Sequence, residues 1–149
     1  MSKNWGQATW LFLHSLSYKI KDDKFLEHKN EIIEIFAKIC ASLPCPDCQE
    51  HAKNYVIKND LNKINSKNDF IEMLWVFHNI VNKRQGKKEF PYKSLIIYNK
   101  TIFINVCQNF INIYNRPINN QRLLLNSMGR DRVTKHVISF VTKNKDIFN

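Results

Sequence analysis

Glycine and proline are scarce in this chain, 3 and 4 among 149 residues. An all-β fold needs frequent turns, and turns draw on these two residues, so their scarcity argues against one. Acidic residues are also few. Lys and Arg number 23 against 13 Asp and Glu, a net charge of +10. That excess suits an anionic partner (nucleic acid, a membrane surface or a phosphate-bearing cofactor) and equally suits a plain Lys-rich surface. No apolar run approaches the ~20 residues a membrane span needs. The opening MSKNWGQATW has no apolar core and no small-residue cleavage site, so it does not read as a signal peptide. The expectation is a soluble protein that stays where it is made. Thiols in such a compartment are normally kept reduced, which makes any disulfide notable.

What is present is a globular composition: hydrophobic residues make up 44% and aromatics 12%. The length suffices for a domain with a real core. Apolar residues recur at helical steps. Trp5, Ala8, Phe12 and Leu16 mark a first helix from Trp5 to about Ile20. Asp22 and Asp23 are placed to cap a second, which carries Phe25, Ile32, Phe36, Ile39 and Cys40 and ends at Leu43-Pro44. A third should start at Pro46, which fits a first helical position. Asn59 to Asn65 reads as a polar loop. Ser66, with Asp69 three residues on, predicts a capping box and a fourth helix that stops at Gly86. Four helices with short connections point to an all-α helical bundle. Beyond Pro91, the stretch from Tyr92 to Asn115 reads as one helix, with strand as the alternative. Pro117 should break it, and one or two further helices should follow.

Four cysteines are present, Cys40, Cys45, Cys48 and Cys107, and only Cys45 and Cys48 have a motif spacing. A cysteine at a helix start faces free N–H groups and the positive end of the dipole, which favour a negative sulfur. Cys48 follows one turn later on the same face, so the two sulfurs can meet. A redox pair, a metal site and an incidental spacing all remain open at this point. The metal reading would draw on Cys45, Cys48, His51 and His78, an inventory structural zinc accepts at a spacing unlike a finger. Cys40 and Cys107 read as buried thiols, with joining chains or acting as a lone shuttle the alternatives for Cys107.

Two further segments carry unusual side chains. In the fourth helix, His78, Asn79 and Asn82 share part of one face with Trp75, and Lys83, Arg84, Lys87 and Lys88 follow. Aromatic, amide and imidazole groups beside cations suit a ring system bearing phosphates. In the first helix, WGQATWLFLH offers Gly6 for close approach, Trp10 as a stacking plane and His14 one turn on. Taken singly, each residue is better explained by core packing or a solvated helix end.

In order, WGxxxWxxLH, a Pro-Cys-x-x-Cys and HNxVNxxxGK resemble the Erv/ALR family of FAD-linked sulfhydryl oxidases, and most of all its short versions in large cytoplasmic DNA viruses. The resemblance spans about Asn4 to Tyr92. It implies a four-helix bundle with a short fifth helix, holding FAD at the bundle mouth. It implies that Cys45 and Cys48 form the active-site disulfide, with Cys48 nearest the flavin and Cys45 open to incoming thiols. It implies cofactor contacts from Gly6, Thr9, Trp10 and His14, and from His78, Asn79, Asn82, Lys87 and Phe90, with His51 beside the cysteines. No metal is implied. The expected activity is thiol oxidation, forming disulfides in a protein dithiol substrate or a thioredoxin-like relay protein and passing electrons to molecular oxygen to give hydrogen peroxide. A homodimer in the host cytoplasm is expected, with packaging in the virion as an alternative, and neither membrane nor nucleic acid as a partner. Cellular members carry a structural disulfide where this chain has Trp75 and Tyr92, so an aromatic contact is expected there. The domain is expected over residues 1–98, with 99–149 an extension of unassigned role. The competing reading is a non-enzymatic, zinc-stabilised helical module that binds nucleic acid.

Overall fold

The computed structural model describes residues 4–116 and 124–149. The fold is all-α, as expected; among the described residues the β element is a single isolated bridge between Ile20 and Phe148. The expected break at Pro117, and Gln121 to Leu123 before the last long helix, lie outside the described residues.

Helix α1 (Asn4–Lys19) is the centre of the molecule. Trp5, Ala8, Phe12 and Leu16 recur at three- and four-residue steps, yet every residue from Phe12 to Ser17 is buried. The reason is that α1 is covered from several sides, by α4 (Lys67–Arg84), α5 (Phe103–Tyr114) and the 3-10 helix Tyr92–Lys100. Of the polar members of that run, Ser17 closes its bond locally, its Oγ donating to His14 O (2.7 Å).

Helix α2 (Asp22–Ala41) buries Phe25, Ile32, Ile35, Phe36, Ile39 and Cys40 at three- and four-residue steps against α3 (Pro46–Lys58) and α4. Its N-cap is Lys21, with no side-chain cap bond. Asp22 and Asp23 therefore do not cap; they sit in the first turn, where their charge still meets the positive end of the dipole. At α4 the Ser66 hydroxyl accepts from Asp69 N–H as expected, while the Asp69 carboxylate reaches Asn65 N–H, one residue before a strict capping box. After α4, Gly86 takes φ 71°, a left-handed turn conformation that glycine adopts freely.

The stretch read as one helix from Tyr92 to Asn115 is instead two elements, the 3-10 helix Tyr92–Lys100 and α5, separated at Thr101 and Ile102. Thr101 Oγ1 donates to Tyr98 O (2.9 Å) and lies 3.1 Å from Ser15 Oγ, side-chain bonds that compete with continuing the helix. The polar loop likewise holds a 3-10 turn, Leu61–Lys63, and the buried Ile64. Helix α6 (Leu124–Lys143) leads to a last 3-10 turn, and Asn149 N–H returns to Lys19 O (2.7 Å). One core cluster joins α1–α4 residues such as Phe12, Phe36 and Phe77 to Phe110, Tyr114, Val137 and Phe140 from beyond residue 98.

Candidate active site

A cavity of about 630 Å³ opens between α1, the end of α2, the start of α3 and α4. That size is in the range of small-molecule and cofactor sites. Its wall is built from the pieces the sequence singled out. Trp10 and His78 stack at 4.0 Å with planes 8° apart. Phe77 meets Trp10 edge-on at 5.3 Å. Gly6 lies on the wall, and a Cβ added there would meet no atom within 4 Å, so its absence leaves free space on that wall. Asn82, Arg84 and Lys87 add polar and cationic groups.

Behind this wall His14 is fully buried, and its Nε2 lies 3.0 Å from His78 Nδ1. Tyr98 covers the other face of His14 at 4.6 Å. Burial, reinforced by the neighbouring His78, pulls the His14 pKa down to about 3. Burial and then Lys87 lower His78 to about 4. Both rings are neutral at neutral pH, so one donates and the other accepts. His14 Nδ1 makes no hydrogen bond among the described residues.

The cysteine pair enters from the other side. Pro46 opens α3 and Cys45 is its N-cap, its sulfur accepting the Cys48 N–H at 3.3 Å. Both are thiols here, so the geometry is that of the reduced pair. Cys48 lines the cavity and Cys45 does not. Burial, then the hydrogen bond and charge of Cys45, push the Cys48 thiol up to about 11, with Arg84 opposing.

Other expected residues lie elsewhere. Thr9 is on the wall, but its hydroxyl donates to Trp5 O (2.7 Å) within its own helix. Asn79 is not on the cavity: its side chain grips the Phe90 backbone, accepting from Phe90 N–H (2.8 Å) and donating to Phe90 O (3.1 Å). Phe90 is off the cavity too, its ring 6.4 Å from His78. His51 is exposed and faces Asp47 at 3.7 Å. Trp75 donates to Phe90 O (2.6 Å) and meets Tyr92 edge-on at 5.3 Å, so an aromatic contact does stand in this place. Among the described residues no group of three or more His, Cys, Asp and Glu side chains could hold a metal, so Cys45, Cys48, His51 and His78 do not converge. The sequence reading missed Tyr98 and Cys40 on the wall. Tyr98 comes from beyond the motifs, and Cys40 looks like any core position of α2.

Cys40 and Cys107 are both buried, at 2% and 3% exposure, and both are free thiols. Air-oxidised protein should therefore contain one intramolecular disulfide, Cys45–Cys48, in non-reducing mass analysis. A Cys40–Cys107 bridge in that spectrum would contradict this packing.

The Erv1 / Alr family model matches residues 7–101, and the chain belongs to that family. It is 36% identical over 112 residues to an FAD-linked sulfhydryl oxidase of African swine fever virus (isolate Tick/Malawi/Lil 20-1/1983), covering 68% of this chain and 93% of the relative. It is 34% identical over 86 residues to FAD-linked sulfhydryl oxidase ERV1 of Oryza sativa subsp. japonica, covering 58% of this chain and 44% of that relative. No solved structure gives a significant match.

Proposed function

We propose that this chain is an FAD-dependent thiol oxidase that forms disulfide bonds in protein dithiols and passes the electrons to molecular oxygen. The observation that carries the reading is the asymmetry of the pair: Cys48 stands on the wall of a cavity built by stacked Trp10 and His78, and Cys45 stands outside it. The residues fit the cofactor. A flat apolar wall suits its ring systems, neutral His78 offers a hydrogen bond without charge, and Arg84 and Lys87 suit its diphosphate. When bound, FAD supplies a two-electron acceptor that oxygen can reoxidise, yielding hydrogen peroxide.

The chain's own chemistry runs through the pair. A substrate thiolate attacks Cys45 Sγ of the oxidised pair; the Cys45–Cys48 bond breaks and a substrate–Cys45 bond forms. Cys48 leaves with the electron pair. The second substrate thiolate attacks the substrate sulfur of that mixed disulfide, so Cys45 is released and the substrate leaves oxidised. Two electrons now reside on the pair. The raised Cys48 pKa means the sulfur holds a proton at neutral pH, and this proton must leave as its electrons do. The electron donor is a protein dithiol or a thioredoxin-like relay protein, the working unit a homodimer, and the setting the host cytoplasm or the virion. No helix among the described residues is long and apolar enough to cross a membrane.

Denatured protein should release non-covalent FAD at about one per chain, one for the cavity that Cys48 lines. Protein that is colourless and releases none would overturn the reading. His78→Ala should lose more flavin than Lys143→Ala at the far end of α6; equal retention would leave His78 as core packing.

A further inference from the structure

The family match ends at residue 101, yet the segment beyond it reaches the turn that carries the redox pair. Tyr114, fully buried at the end of α5, donates its hydroxyl to Ser42 O at 2.9 Å. Ser42 is the C-cap of α2, three residues before Cys45. Helix α6 arrives at the same residue. A Cβ on Gly129 would stand 2.8 Å from Ser42 Oγ, so α6 packs closely on Ser42 here, and a larger residue would make that hydroxyl turn away.

Arg130 follows on α6. It is 1% exposed, and its Nε and Nη1 make no hydrogen bond among the described residues. Its charge acts on Tyr114: burial raises the Tyr114 phenol pKa and Arg130 opposes the rise. Through Tyr114, whose hydroxyl donates to Ser42 O, this cation is linked to the end of α2. Val133, Val137 and Phe140 anchor α6 in the common core, so the contact at Ser42 is backed by a rigid element. From Ser42 the chain passes through buried Leu43 and Pro44 to Cys45. Leu43 itself lines the cavity.

We propose that α5 and α6 form a brace on the Ser42–Cys45 turn, with Tyr114 and Arg130 as positioning residues that set how Cys48 meets the cavity. The inference rests on the thiol-oxidase reading of that cavity and gives the segment beyond the family match a role in it. The step it serves is electron transfer from the reduced Cys45–Cys48 pair. That step is sensitive to distance, whereas the reaction of oxygen does not involve the cysteine pair.

The test uses the full chain loaded with FAD, as wild type, Tyr114→Phe, Arg130→Met and the control Ile147→Ala, a buried position outside α5 and α6 whose backbone meets Lys21, at the other end of α2 from Ser42. Stopped-flow absorbance follows flavin reduction by dithiothreitol and, separately, reoxidation by oxygen. Hydrogen exchange of the Leu43, Cys45, Asp47 and Cys48 amides is measured on the same proteins without flavin. Tyr114→Phe and Arg130→Met should each slow reduction roughly tenfold, leave reoxidation unchanged and speed exchange at the turn. Ile147→Ala should lower the melting temperature and leave the reduction rate at its wild-type value. Wild-type reduction in Tyr114→Phe overturns the brace, as does equal slowing by Ile147→Ala, which would mark a general loss of stability. Should Arg130→Met fail to fold, Tyr114→Phe decides alone. If the wild type binds no FAD, the oxidase reading falls separately, and unchanged exchange at these amides in Tyr114→Phe then overturns the brace.

Discussion

Replacing either motif cysteine with serine should lower dithiol oxidation at least ~10³-fold while FAD stays bound, because each sulfur is part of one covalent unit. The two variants should nevertheless look different. Cys48 lines the cavity and Cys45 does not, although they share a turn of α3. Cys45→Ser leaves one sulfur, against the cofactor. It should show a broad long-wavelength charge-transfer band that grows as Cys48 loses its proton. In the native pair, burial and the Cys45 contact hold that thiol up at about 11. Removing Cys45 takes away its hydrogen bond and charge, so the band should titrate below that value. Cys48→Ser should show no such band and should trap substrate as a mixed disulfide on Cys45. Identical spectra in the two variants from about pH 7 to about pH 11 would remove Cys48 from its assigned place. The same raised pKa makes a stability statement. Below about pH 9 the thiol is neutral in both folded and unfolded chains and costs nothing. Above it the unfolded chain ionises first, so stability falls as pH rises toward the folded value.

The parts of this site that were legible in the sequence are those set by local rules. Pro44 and Pro46 bracket Cys45 so tightly that the helix start, and the cap it makes, follow from the backbone. Trp10 and His78 were conspicuous as chemistry, and the cavity brings them together. Where reading failed, the missing information was tertiary. Asn79 and His78 are adjacent on α4, yet about 100° of helical rotation separates them. One faces the cavity; the other closes two hydrogen bonds on Phe90, a partner 11 residues away. No periodicity tells these fates apart. The His14–His78 bond spans 64 residues and depends on how α1 crosses α4. Burial of α1 on several sides depends on α5, whose own apolar residues say that it packs but not on what. Arg130 is the sharpest case: nothing in the polar-rich sequence around it marks this arginine as buried, and its burial comes from the tertiary packing of α6.

Acid should destabilise this protein through the His14–His78 pair. An unfolded imidazole takes up a proton near pH 6.5. In the folded chain His14 resists until about 3 and His78 until about 4. Below about pH 6.5 the unfolded state therefore binds more protons, and stability falls as pH falls. The contribution is intact above the unfolded value and is lost on the way down to the folded ones. At about pH 5, His14 alone accounts for about 2 kcal/mol; His78, partly exposed and screened by solvent, accounts for less. Against a domain stability of roughly 5–15 kcal/mol this is a large share. Protonation has no outlet here. His14 Nδ1 has no hydrogen-bond partner among the described residues, and His78 already lies near Lys87. His14→Gln keeps an amide nitrogen near the Nε2 position and removes the titration. Urea unfolding at about pH 7 and about pH 5 should show the wild type losing on the order of 2 kcal/mol more than this variant. Parallel losses in the two proteins would place the acid sensitivity elsewhere, in the growing repulsion of a chain that already carries a net charge of +10.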